Sequence, residues 1–161
     1  MLIRSASITL VILLLSANLH SQDYDNAVFP EYHKLESEGN QAKREKDWKK
    51  AIKLYTKAIE LVSNEPSIYI LRGQSKSKLT DYRGAIEDYT KAIEIAESAF
   101  SGQTKLFLGE TISMEFFGQF YWHRGLAKYQ LGDQDGACRD FSKSGQLGFE
   151  KAYDSIQELC N

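Results

Sequence analysis

The sequence predicts an all-α chain built by repeating one pair of helices. Three observations carry that prediction. Residues 51–61, AIKLYTKAIEL, and residues 85–95, AIEDYTKAIEI, match at eight of eleven positions with an offset of 34. Within the second stretch Ala85, Ile86, Tyr89, Ala92 and Ile93 recur at i, i+1, i+4, i+7 and i+8, which is one face of a helix. Only two prolines, Pro30 and Pro66, occur among 161 residues, which leaves room for long helices and little for a turn-rich sandwich.

The first element is an address label. Arg4 precedes an uncharged, mostly apolar run over 5–19, followed by His20, Ser21 and Gln22. A positive start, an apolar middle and a small residue at the exit make the layout of a secretory signal peptide, with cleavage expected after Ser21. The competing reading is an uncleaved anchor, but a spanning helix needs about twenty apolar residues and this run is shorter and interrupted. Residues 1–21 are therefore expected to be removed, and the protein to be periplasmic or secreted, with no membrane insertion afterwards. Residues 22–31 form a lead-in.

The repeats follow. Gly39 and Gly73, and Asp47 and Asp81, keep the offset of 34. A third copy carries Gly125, Asp133, Ala137, Phe141 and Lys143 at an offset of 52 from the second. Each Asp precedes a second helix, where a short carboxylate accepts otherwise unpartnered backbone N–H groups and meets the positive end of the helix. Each Gly falls inside a first helix at a cost of about 1 kcal/mol against Ala. The repeated cost predicts a repeated close approach of the paired helix, through a small residue or an aromatic ring. Expected bounds are 32–65, 66–99 and 118–151, with an insert over 100–117 rich in Phe, including Phe100, Phe107, Phe116 and Phe117. The C-terminal GFEKAYDSIQELC predicts a capping helix at about 149–160, with Ala152, Ile156 and Leu159 on one side.

The helix pair, the 34-residue period, the mid-helix Gly, the Ala–Tyr/Phe–Ala spacing and the Asp before the second helix together resemble the tetratricopeptide repeat family. The resemblance covers about 32–99 and 118–151 and is closest in stretches such as DYRGAIEDYTKAIEI. It implies an α-solenoid of about three repeats whose first helices line a concave groove for a protein or peptide. Positions turned inward by that resemblance include Asn40, Lys43 and Arg44 in the first copy, Gln74 and Lys78 in the second, and Trp122 and Tyr129 in the third. A groove with a basic end and an aromatic end would take an acidic group near an apolar one. The alternative is a solvated basic stripe beside aromatics packed on the insert. Family members that clamp a chaperone's terminal carboxylate carry Lys where this chain has Glu36, so the resemblance does not reach that contact.

Nothing in the residue pattern calls for catalysis or a cofactor. His33 and His123 stand alone, without metal-ligand spacing, and the remaining carboxylates read as exposed helical stripes beside lysines. A net charge of −2 gives no electrostatic reason to seek nucleic acid. Cys138, early in the last repeat's second helix, and Cys160, at the end of the capping helix, would be neighbours if those helices are antiparallel. An exported chain then permits a disulfide, the alternative being two separate buried thiols. The function so read is non-catalytic peptide or protein binding in the cell envelope. The alternative is a self-associating structural module that uses the insert or an open solenoid end.

Overall fold

The computed structural model describes residues 28–101 and 113–160. The expected signal peptide, most of the lead-in, and residues 102–112 with Phe107 lie outside them. The chain divides into two units at Lys34 and Leu35. In the first, residues 28–34 are helical, and the Phe29 and His33 rings meet edge-on at 4.8 Å.

The second unit runs through helical residues 35–44 (α1), Trp48–Leu61 (α2), Pro66–Lys78 (α3), Tyr82–Phe100 (α4), Met114–Gln130 (α5), Gln134–Gln146 (α6) and Lys151–Leu159 (α7). Every regular element among the described residues is a helix. From α2 onward contacts join each helix to the next, α2 to α3, α3 to α4, α4 to α5, α5 to α6 and α6 to α7, as a solenoid requires.

Local chemistry explains the helix limits. Asp47, Asp81 and Asp133 accept hydrogen bonds from the backbone N–H groups of Lys50, Gly84 and Gly136, so one capping device starts α2, α4 and α6. Ser113 caps α5 in the same way through Phe116 N–H. Pro66 occupies the first turn of α3, where its missing N–H costs nothing. The repeated glycines have a shared cause. A Cβ at Gly39, Gly73 or Gly125 would lie 2.5, 2.7 or 2.7 Å from Cε1 of Tyr55, Tyr89 or Phe141. Each glycine lets the aromatic ring of the paired helix press against the backbone, and all three rings are buried.

Phe100 ends α4 and Met114–Phe117 open α5, so the regular helices reach into both ends of the 100–117 segment. One observation revises the sequence reading: the carboxylates are not all on exposed stripes. Asp88 and Asp140 are only 3 % and 4 % exposed. Arg72 binds Asp88 through Nη2–Oδ1 at 2.6 Å and Nε–Oδ2 at 3.0 Å, and Lys76 Nζ adds a contact at 2.9 Å. Fifty-two residues on, Arg124 binds Asp140 at 2.8 and 2.9 Å, with Lys128 at 2.8 Å. Each guanidinium also donates at 3.2 Å to a threonine of the preceding copy, Arg72 to Thr56 and Arg124 to Thr90. These triads stitch neighbouring repeats together. At the matching places the first copy has Glu38, Ala42 and Leu54, which cannot form one.

At the C-terminal end, Cys138 and Cys160 form a disulfide with Cα atoms 5.8 Å apart. It joins α6 to the residue that ends α7. None of the described helices is long and apolar enough to cross a membrane.

Candidate functional site

The first helices of the repeats bring their groove-side residues around a cavity of about 560 Å³. Lys43 enters from α1, Gln74, Ser77 and Lys78 from α3, and Trp122, His123, Leu126, Ala127 and Gln130 from α5. The second helices add Trp48 at the start of α2, and Tyr82 and Tyr89 from α4. Five aromatic rings and two lysines therefore line one space.

A polar chain crosses this surface. Lys43 Nζ donates to Gln74 Oε1 at 2.6 Å, and Gln74 Nε2 lies 2.9 Å from His123 Nε2. With its carbonyl engaged by the ammonium, the Gln74 amide donates through nitrogen, so His123 accepts at Nε2 and carries its proton on Nδ1. Burial, then the charges of Lys43 and Lys151, push the His123 imidazolium value down to about 4, so the ring is neutral at ordinary pH. It stacks on Tyr89 at 5.5 Å between centroids and meets Trp122 edge-on at 5.0 Å.

Lys43 stands out electrostatically. It is half-buried, and burial lowers its pKa. Among the described residues no carboxylate lies within salt-bridge distance of its Nζ; its recorded hydrogen bond goes to a neutral amide. A desolvated ammonium without an anion is an incomplete arrangement that a ligand carboxylate would complete.

The expected groove residues divide. Lys43, Gln74, Lys78 and Trp122 line the main cavity. Asn40 and Arg44 line a neighbouring depression of about 400 Å³ that shares Lys43 and Trp48. There Asn40 Oδ1 accepts from Tyr55 Oη at 2.9 Å, and the Arg44 guanidinium is held by Gln41 Oε1 at 2.6 Å through Nη2. Tyr129 is exposed and is not part of either lining. At about 100° per residue, the lining positions of α5 fan from Trp122 round to Ala127. Tyr129 falls just past the Trp122 edge of that fan, about 90° from its centre.

Sequence reasoning missed Trp48, Tyr82, Tyr89 and His123. A signal existed for the first two. They occupy matching places 34 residues apart, directly after the capping aspartates. His123 gave none, because its role depends on neighbours from two other copies.

Residues 66–98 match the family model of the tetratricopeptide repeat. Solved tetratricopeptide-repeat domains share the fold. The OM64 domain of Arabidopsis is 24 % identical with a TM-score of 0.68, covering 83 % of this chain and 97 % of that one. The second such domain of human RPAP3, in complex with the HSP70 peptide SGPTIEEVD, is 20 % identical with a TM-score of 0.68, covering 83 % and 98 %. The first domain of Spaghetti (RPAP3), bound to the HSP90 peptide SRMEEVD, is 18 % identical with a TM-score of 0.67, covering 81 % and 91 %. No curated protein matches the chain. The fold is thus an all-α tetratricopeptide-repeat solenoid.

Proposed function

We propose that the protein is a non-catalytic adaptor that binds an extended peptide in this cavity, with an acidic group at Lys43 and an aromatic or apolar side chain among Trp48, Tyr82 and Trp122. The observation that carries the reading is the half-buried Lys43 ammonium with no carboxylate partner among the described residues, at the edge of a ring-lined space. The same fold holds acidic peptides in the RPAP3 complexes, which supports a peptide as the ligand class. Because Glu36 replaces the clamp lysine, the acidic group is placed at Lys43 and Lys78 instead. The apolar run over 5–19 and the Cys138–Cys160 disulfide support action outside the cytoplasm, in the periplasm or beyond the cell.

The test is a titration with labelled hexapeptides. A peptide with two aspartates beside a phenylalanine should bind, and binding should weaken as salt rises. The same peptide with lysines for aspartates should not. Equal binding of both would place recognition elsewhere.

A second reading, self-association, draws on Phe100, Met114 and Phe116, which are 49 %, 54 % and 37 % exposed where α4 ends and α5 begins. Light scattering separates the two. A concentration-dependent dimer abolished by Phe116→Ser, with groove variants unaffected, favours self-association.

A further inference from the structure

Trp122 is held in the cavity wall from behind, by the last helix. Its indole Nε1 donates to Ser155 Oγ at 2.9 Å, and the Phe149 ring packs on it at 5.5 Å. Ser155 belongs to α7, whose nine residues are too few to form a stable helix alone. Only Ala152 and Ser155 of that helix are buried. Its far end is tied by two bonds: the disulfide from Cys138 to Cys160, which directly follows the helix, and Gln134 Nε2 donating to Leu159 O at 2.9 Å. Both cysteines are partly exposed, and Cys138 lines an open depression of about 440 Å³ beside Arg139 and Lys143. The bond is therefore reachable from solvent on its Cys138 side.

We propose that α7 is a movable backing for the Trp122 side of the binding cavity and that the Cys138–Cys160 disulfide is the redox-sensitive catch that holds it. The proposal rests on the reading of the cavity as a binding site. The reductant is an external dithiol. Its thiolate attacks Cys138 Sγ, and Cys160 leaves as a thiolate that takes a proton from water. The second thiol of the reductant then displaces Cys138, which is protonated in turn, and the reductant closes to a disulfide. The protein gains two electrons and two protons. Released at its C-terminal end, α7 frays, Ser155 withdraws from the indole, and Trp122 is free to leave the position that shapes the apolar wall.

The experiment reads Trp122 directly. Trp48 and Trp122 are the two tryptophans, so Trp48→Phe assigns their indole N–H resonances. On reduction the Trp122 resonance should shift and its hydrogen exchange should speed by about tenfold or more, while Trp48 stays. Ser155→Ala should move the same resonance in the oxidised protein. Binding of the aspartate–phenylalanine hexapeptide should weaken about fivefold on reduction of the natural protein, and less than about twofold on reduction of Ser155→Ala. A Trp122 resonance unmoved by reduction, with both thiols shown free by alkylation, overturns the proposal. Loss of all helical circular dichroism on reduction also overturns it, since the bond would then be a general staple. If the resonance moves as stated and the hexapeptide binds neither form, the catch stands and the peptide reading of the cavity falls.

Discussion

The partly buried lysines of this solenoid occur in two settings, and the contrast separates its body from its groove. In the body, Lys76 and Lys128 each sit 2.8–2.9 Å from a buried aspartate that an arginine also grips. Every charge there is answered, and a threonine of the previous copy accepts from the third guanidinium nitrogen. In the groove, Lys43 is also withdrawn from water, yet its recorded partner is the neutral Gln74 amide. The first arrangement is closed and serves cohesion. The second is open and suits a ligand that brings its own anion. Pairing, rather than residue type, separates the structural cations from the one proposed for binding.

The largest effect that can break this comparison is in the body. Asp140→Ala would leave Arg124 and Lys128 without their carboxylate, and urea unfolding should show a loss of about 3–5 kcal/mol. Lys43→Met should change stability by no more than about 1 kcal/mol. Equal losses would erase the distinction. Next comes the ring shared by both regions, Tyr89, which presses on Gly73 and lines the cavity. Gly73→Ala should cost about 1–3 kcal/mol, because its Cβ would meet the ring at 2.7 Å. Thermal unfolding equal to that of the natural protein would remove the close-approach account of the glycines.

The groove has a pH signature of its own. His123 titrates near 4 in the fold against an ordinary 6.5. Between those values the unfolded chain binds a proton that the folded chain refuses, so this group's contribution makes stability fall as pH drops from 6.5 to 4. Subtracting the pH profile of His123→Gln from that of the natural protein should isolate that window; a flat difference would mean that the ring is not sequestered. The smallest effect lies in the turns. Thr80 has φ +62° where the third copy has Gly132 at +82°. Thr80→Gly should therefore stabilise by about 0.5–1 kcal/mol in the same unfolding assay.

Much of the body was legible in the sequence because its devices repeat. The glycine–ring contacts and the capping aspartates recur at fixed offsets, and each is forced by the helix crossing it serves. The triads recur as well, in residues 72, 76 and 88 and again in 124, 128 and 140. They span two helices, however, and single-helix charge patterns make their members look exposed. The groove was legible only in part. A first-helix rule reached Lys43, Gln74, Lys78 and Trp122. It could not find Trp48, Tyr82 and Tyr89, which arrive from the second helices, and it included Tyr129, which turns past the edge of the lining. Nor could it find the Lys43–Gln74–His123 chain, whose members are 31 and 49 residues apart.

The most direct test of the open-cation account is the affinity of the aspartate–phenylalanine hexapeptide for the natural protein and for Lys43→Met, measured by fluorescence anisotropy at two salt concentrations. Removing the ammonium should weaken binding about tenfold, the equivalent of one charge-assisted contact, and flatten the salt dependence, while unfolding stays nearly unchanged. Unaltered affinity and salt dependence in Lys43→Met would show that the unpaired ammonium has no part in recognition.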